Sequence, residues 1–216
     1  MSLRPSIGSP TLILVPTGVE ARALTELGGF ESGLALEESS GFGPIAAAAC
    51  TASILARVRP ARVLLIGIAG TYDAAALAIG SAIQSSRVEI DGLETAGFSQ
   101  APGIGTGIDL VRVTRGQSVG GTAPPALLVT VFSSSPGARE VEERRERHPG
   151  AVAEDMEGFG VALACALEHV PLAIVRGISN AAGDRETKRW RIRDALAAAR
   201  DVAIDLLRQR EWGTPR

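Results

Sequence analysis

The chain repeats one pattern: a short, continuously apolar run, a stop at glycine or proline, then an alanine-rich stretch of helical period. Thr11–Val15 halts at Pro16-Thr17-Gly18, Val63–Ile66 runs into Gly67-Ile68-Ala69-Gly70, and Leu172–Val175 precedes Arg176-Gly177. A strand that is apolar on both faces has to be covered on both, so such strands belong to a sheet held between helices. The expected fold class is therefore α/β, a three-layer αβα sandwich with a central mixed β-sheet. Neither an internal repeat nor a linker divides the sequence, and residues 1–216 are expected to form a single domain.

Further strands are expected at Ser81–Ser85, after Gly80, at Leu127–Phe132, and at Leu110–Val113 inside a segment rich in Gly, Pro, Ser and Thr. Helices are expected at Val19–Leu27, Ile45–Arg57, Ala138–Arg147, Met156–Leu167 and Trp190–Leu207. Pro44 opens the second of these at no cost, because a first-turn N–H lacks a partner anyway. The last repeats Ile192, Leu196, Ala199, Val202, Ala203 and Leu206 on one face. Ala138–Arg147 sets Glu140 against Arg144 and Glu143 against Arg147 and reads as a solvated face. Gly103, Gly105 and Gly107 have neither a strand before them nor a helix after, so they read as a loop and not as a dinucleotide fingerprint.

Lys and Arg number 22 against 24 Asp and Glu, and no basic cluster stands out, which excludes a cationic surface for nucleic acid. Cys50, Cys165, His148 and His169 show no metal-ligand spacing, so neither a metal nor another cofactor is expected. Both cysteines sit among alanines and leucines and read as small buried hydrophobes. Leu12–Val15 is too short for the apolar part of a signal peptide and for a membrane span. A cytoplasmic protein with no membrane partner is expected.

In sheets of this kind ligands collect beyond the strand ends, where loops and helix N-termini converge. Polar residues that follow the apolar runs are therefore the candidates: Glu20, Gly67–Gly70, Met156-Glu157-Gly158 and Arg176-Gly177-Ile178-Ser179-Asn180. Each has an ordinary structural explanation when taken alone. Glu157 could be an acid favoured at a helix N-terminus, Arg176 an ion-pair partner, Asn180 a turn residue and Glu20 a first-turn acid beside Arg22. Yet Glu157 enters an almost wholly apolar helix, and a buried carboxylate is costly unless it is paired or used.

The segments LILVPTGVE (Leu12–Glu20), GFGP (Gly41–Pro44), GIAG (Gly67–Gly70), AEDMEG (Ala153–Gly158) and PLAIVRGISN (Pro171–Asn180) occur in an order that resembles the purine nucleoside phosphorylase and methylthioadenosine/adenosylhomocysteine nucleosidase superfamily. The resemblance runs from about Thr11 to Leu207. Within the superfamily the chain is most similar to the futalosine hydrolases of menaquinone biosynthesis, through Pro-Thr ahead of Glu20, GIAG, Ile-Ser-Asn, and Asp184-Arg185 leading to Trp190. It implies a nucleoside phosphorylase-like fold, a purine nucleoside as small-molecule substrate, and a homodimer or higher homo-oligomer.

It also implies roles. Glu157 resembles the carboxylate that stabilises a cationic ribose, with Met156 beneath the sugar. Glu20 resembles the group that deprotonates the attacking water, with Arg176 holding the polar cluster. Asn180 meets the purine near N7, beside Ser179 and Gly70, where methylthioadenosine nucleosidases carry Asp. An amide can donate and accept but cannot give up a proton, which suits a 6-oxopurine such as hypoxanthine. Ile68 stands where phosphorylases place a hydroxyl for phosphate, which favours water as the nucleophile. Trp190, with Arg185 and Lys188, is a candidate for the part of the substrate beyond the ribose, although Trp190 could equally anchor the last helix. The alternatives are a nucleosidase for methylthioadenosine, adenosylhomocysteine or inosine, and a non-catalytic nucleoside-binding protein.

Overall fold

A computed structural model describes residues 10–30, 35–93, 106–110 and 126–209. Their strands are β1 (Thr11–Val15), β2 (Ala35–Ser39), β3 (Arg62–Thr71), β4 (Ala82–Ile90), β5 (Gly107–Asp109), β6 (Ala126–Thr130), β7 (Ala151–Asp155) and β8 (Leu172–Ala181). The helices are α1 (Gly18–Glu26), α2 (Pro44–Val58), α3 (Ala138–Arg147), α4 (Gly158–Leu167) and α5 (Ile192–Arg208), with a single 3-10 turn at Thr187–Arg189.

All the described strands join one mixed sheet. β1 lies between β2 and β3, both parallel to it. β3 pairs with β8 in parallel along its whole length, and its C-terminal end also pairs with β7 in antiparallel fashion. Since β8 pairs with β4, β4 with β6, and β6 with β7, these strands close into a ring with β3. Alternate residues of β1 and β3 bury on opposite faces. Leu12, Leu14, Val63 and Leu65 meet α2 and α4, whereas Ile13, Val15, Leu64 and Ile66 meet α1 and α5. That two-sided burial is the physical reason for the apolar runs.

The expected layering is present, with differences at element ends. β3 continues through Gly67–Gly70 and β8 through Arg176–Asn180. Their polar residues thus lie within strands and not beyond them, because backbone pairing persists after the apolar run ends. β4 likewise outlasts its expected span because β6 and β8 both pair with it. α4 begins at Gly158, so Glu157 caps the helix from outside. Trp190 precedes α5 and closes the 3-10 turn. β2 and β7 carry acids at their ends and lack the apolar signature that marks the other strands. β5 ends before the stretch expected at Leu110–Val113, whose residues 111–113 lie outside the described ones, as do Gly103 and Gly105.

Cys165 is buried, but Cys50, on α2, is exposed. The solvated face expected of α3 is broken at Arg144, which is buried among acids from other elements. No described helix is long and apolar enough to cross a membrane.

Candidate active site

The sequence Thr17-Gly18-Val19-Glu20 has the spacing of a helix capping box. Thr17 does cap α1, accepting the Glu20 N–H at 3.3 Å, and its hydroxyl donates to Glu20 Oε2 at 2.6 Å. Glu20 is turned across to the sheet, where Oε1 accepts the Ile68 N–H at 3.0 Å. Although it sits in a first helical turn, only 5% of it is exposed.

Glu157 is equally buried. Its Oε1 accepts the Gly43 N–H at 3.1 Å, and Oε2 faces Arg176 Nη2 at 3.4 Å. Gly43 presents that N–H from a backbone at φ +82°, a conformation in which glycine alone carries no steric cost. Burial pushes the Glu157 carboxyl up to about 7, helped by Asp155 and Glu20 and opposed by Arg176 and the Gly43 N–H. Near neutral pH this acid exists in both protonation states, which is unusual for a carboxylate and typical of a functional site.

Arg176, in the middle of β8, is wholly buried. Its Nε donates to Asp155 Oδ2 at 2.9 Å, and Nη2 reaches both Asp155 and Glu157. Burial opposes its charge, but Asp155, Glu157 and Glu20 outweigh that and raise its pKa. A Cβ on Gly67 would fall 2.2 Å from Arg176 Nη1 and 2.7 Å from Glu20 Oε1. Both groups therefore converge on the bare face of Gly67. Nη1 itself makes no hydrogen bond among the described residues.

Asp155 organises this cluster and was not singled out by sequence. Its Oδ1 accepts the Thr130 hydroxyl at 2.6 Å, and its Oδ2 accepts the Gly158 N–H at 2.8 Å as well as Arg176. Thr130 Oγ1 in turn accepts the Phe159 N–H at 2.8 Å. The first N–H groups of α4, which a helix leaves unpaired, are thus satisfied by the residues that hold Arg176. The available signal was the second acid in AEDMEG, which directly follows another acid at the end of a short strand.

Asn180 lies further along β8. The Ser179 hydroxyl donates to its Oδ1 at 2.7 Å, and Asn180 Nδ2 donates to Ala181 O at 2.8 Å. These bonds fix the amide while leaving one N–H and one lone pair for a ligand. Gly70 is its register partner on β3 and, with no side chain, leaves 3.4 Å between its Cβ position and Asn180 Nδ2. Met156 is half-buried against Tyr72 and Val129. Trp190 donates from Nε1 to Asp184 O at 3.1 Å, while the next residue's N–H reaches Ser179 O, so it stands at the rim beside the Asn180 segment. Glu20, Glu157 and Arg176 form one cluster; Gly70, Ser179 and Asn180 form another on the same two strands.

Among the described residues no group of three or more His, Cys, Asp or Glu is arranged to hold a metal. The family model of the phosphorylase superfamily matches residues 22–209, most of the described sheet and helices. The chain belongs to the phosphorylase superfamily. Among the superfamily's members it is 36% identical over 178 residues to the futalosine hydrolase of Streptomyces coelicolor, covering 76% of this chain and 74% of that one. It is 30% identical over 196 residues to the futalosine hydrolase of Thermus thermophilus, covering 82% of both. The 5'-methylthioadenosine/S-adenosylhomocysteine nucleosidase of Colwellia psychrerythraea, solved with adenine, shares the fold at a TM-score of 0.77 and 20% identity over 94% of this chain and 96% of that one. Within the superfamily, this chain is an enzyme of the N-glycosyl hydrolase kind, a nucleosidase.

Proposed function

We propose that the chain hydrolyses the N-ribosidic bond of futalosine and releases hypoxanthine, with water as nucleophile. The observation that carries this reading is the convergence of Glu20 and Arg176 on the bare face of Gly67, with Glu157 beside Arg176 and Asn180 further along the same strand pair. The identity to two futalosine hydrolases over most of the chain supports the choice of substrate.

Breaking this bond builds positive charge on the ribose and negative charge on the departing base, as in glycoside hydrolysis. Glu157 in its ionised form stabilises the cationic sugar through the ribose hydroxyls. Glu20 accepts a proton from the attacking water, and the free Nη1 of Arg176 donates to that water's oxygen. Asn180 donates its remaining N–H to the purine and accepts from it, which matches a 6-oxopurine. A mismatched donor or acceptor in such a dry site costs about 1–3 kcal/mol.

Phosphate is a poor nucleophile here. Residues 65–70 contain no cation, and Arg176, which reaches this stretch, is already surrounded by Asp155, Glu157 and Glu20. A phosphate dianion would meet more negative than positive charge. For the substrate's portion beyond the ribose the candidate contacts are the Trp190 ring and the exposed cation of Lys188.

A second reading, cleavage of methylthioadenosine or adenosylhomocysteine, is favoured by the 27% identity over 67% of this chain to the Colwellia nucleosidase. Incubating the purified chain with futalosine, methylthioadenosine and inosine, with and without phosphate, separates the two. Hypoxanthine from futalosine at a rate indifferent to phosphate is expected; adenine from methylthioadenosine as the faster reaction would favour the second reading.

A further inference from the structure

A second buried polar network lies beside the Asn180 end of the site and plays no part in the chemistry above. Residues 131–137 join β6 to α3, and Arg144 reaches back from α3 to grip the 133–137 turn within them. Its Nη2 donates to Ser133 O at 2.9 Å and its Nη1 to Ser135 Oγ at 2.7 Å. Glu154 on β7 holds the same turn: Oε1 accepts the Ser135 N–H at 2.7 Å, and Oε2 accepts the Ser135 hydroxyl at 2.6 Å and Arg144 Nη1 at 2.9 Å. Arg144 Nε donates to Asp91 Oδ2 at 3.0 Å, and Asp91 is itself held by Arg147 and His148. Burial alone would raise the Asp91 carboxyl, but those hydrogen bonds hold it down at about 2.

The other side of the turn faces the segment that follows Asn180. Arg185 donates to the hydroxyl and carbonyl of Ser134, and the Gly137 backbone lies 3.0 Å from the position a Cβ on Gly183 would take. In register, Asn180, Gly70 and Glu154 are neighbours across β8, β3 and β7. Phe132, half exposed, leads into the turn just after Thr130, which bonds Asp155.

Connecting turns are ordinarily mobile and solvated. Burying an arginine and two carboxylates to fix one is poorly explained by stability, since well-packed apolar groups would serve as well or better. We propose that Arg144 is a positioning residue for the base-binding end of the site, holding the 133–137 turn against the segment that follows Asn180 so that this end of the site keeps one arrangement. The proposal rests on the nucleosidase reading above, but not on the identity of the nucleoside.

The test compares Arg144→Met and Arg144→Lys with Arg147→Met, which breaks the same network at its outer edge and leaves the turn's own contacts in place. Affinity for free hypoxanthine and free adenine is measured by calorimetry, and kcat and KM with futalosine, well below each variant's Tm. Both Arg144 variants are expected to lose roughly ten- to hundredfold in kcat/KM and in affinity for whichever base the wild type binds, because small misplacements at a reacting centre are costly. Arg147→Met is expected to lose thermal stability but to stay within about twofold of wild type in both readouts. Ser135→Ala, which removes the hydroxyl that accepts from Arg144 and donates to Glu154 but no buried charge, gives the same reading if both Arg144 variants fail to fold, with a loss of several-fold expected. Folded Arg144 variants, or failing those Ser135→Ala, within twofold of wild type would overturn the proposal, as would equal losses in Arg147→Met, or a wild type that binds neither base. A wild type that binds a base but leaves futalosine intact would overturn the substrate assignment alone.

Discussion

At the scale of single residues, Glu157 carries the most consequential number, a carboxyl pushed up to about 7 by burial. Its charged form is the one assigned to the sugar, so kcat/KM should rise with pH through about 7 and then level. The same shift bears on stability with the opposite sign. Between an unfolded value of roughly 4.3 and the folded value, the native state holds more protons than the unfolded chain, so stability from this group falls as pH rises across that window. Glu157→Gln removes the effect. It should lower turnover by about 100-fold or more, yet melt above wild type at about pH 8 and close to it at about pH 4.5. Turnover within tenfold of wild type would remove Glu157 from the chemistry. Asn180→Asp is expected to move preference from hypoxanthine-bearing toward adenine-bearing nucleosides, read as the ratio of kcat/KM values; an unchanged ratio would mean that the base is chosen elsewhere.

At the scale of elements, what matters is how α4 meets α2. A Cβ on Gly160 would lie 2.2 Å from Pro44 O and 3.0 Å from Ala48 N, so the two helices touch backbone to backbone at their N-termini. That contact sets the distance between Gly43 and the Glu157 carboxylate. Gly160→Ala must push the helices apart, and overpacking of this kind costs about 1–3 kcal/mol. It should therefore lower both Tm and kcat, and narrow the gap between the pH profile's midpoint and an ordinary carboxyl value as Glu157 gains solvent. A lower Tm with unchanged kinetics would show that α4 bears on the fold alone. The same elements mark how far the sequence can be read. Doubly buried strands announce themselves, and β1 and α3 have the bounds expected of them. β7 is hidden because its last residues, Glu154 and Asp155, are acids that long-range partners neutralise. Arg144 likewise resembles any surface arginine at i,i+4 from a glutamate; the acids that bury it come from residues 91 and 154. Such compensation across the chain leaves no local trace.

At the scale of the whole molecule, Val19, Phe42 and Ile45 are more than half exposed, although each adjoins a residue of the candidate site. Val19 precedes Glu20, and Phe42 and Ile45 flank Gly43 and Pro44. Exposed apolar side chains near a site suit an association surface, and the expectation is that a pair of copies meeting here walls off the site from solvent. Ile45→Asp should halve the mass measured by light scattering and weaken futalosine binding together; a wild type that is monomeric at assay concentration would refute this.

The proposed function assigns the whole arrangement one task, to bring water and not phosphate to a ribose made cationic by a departing 6-oxopurine. The most direct measurement is futalosine cleavage in ¹⁸O-labelled water containing phosphate, followed by mass spectrometry of both products. Unlabelled hypoxanthine and a sugar product bearing one ¹⁸O hydroxyl are expected. A sugar phosphate without the label, or no base released at all, would contradict the account.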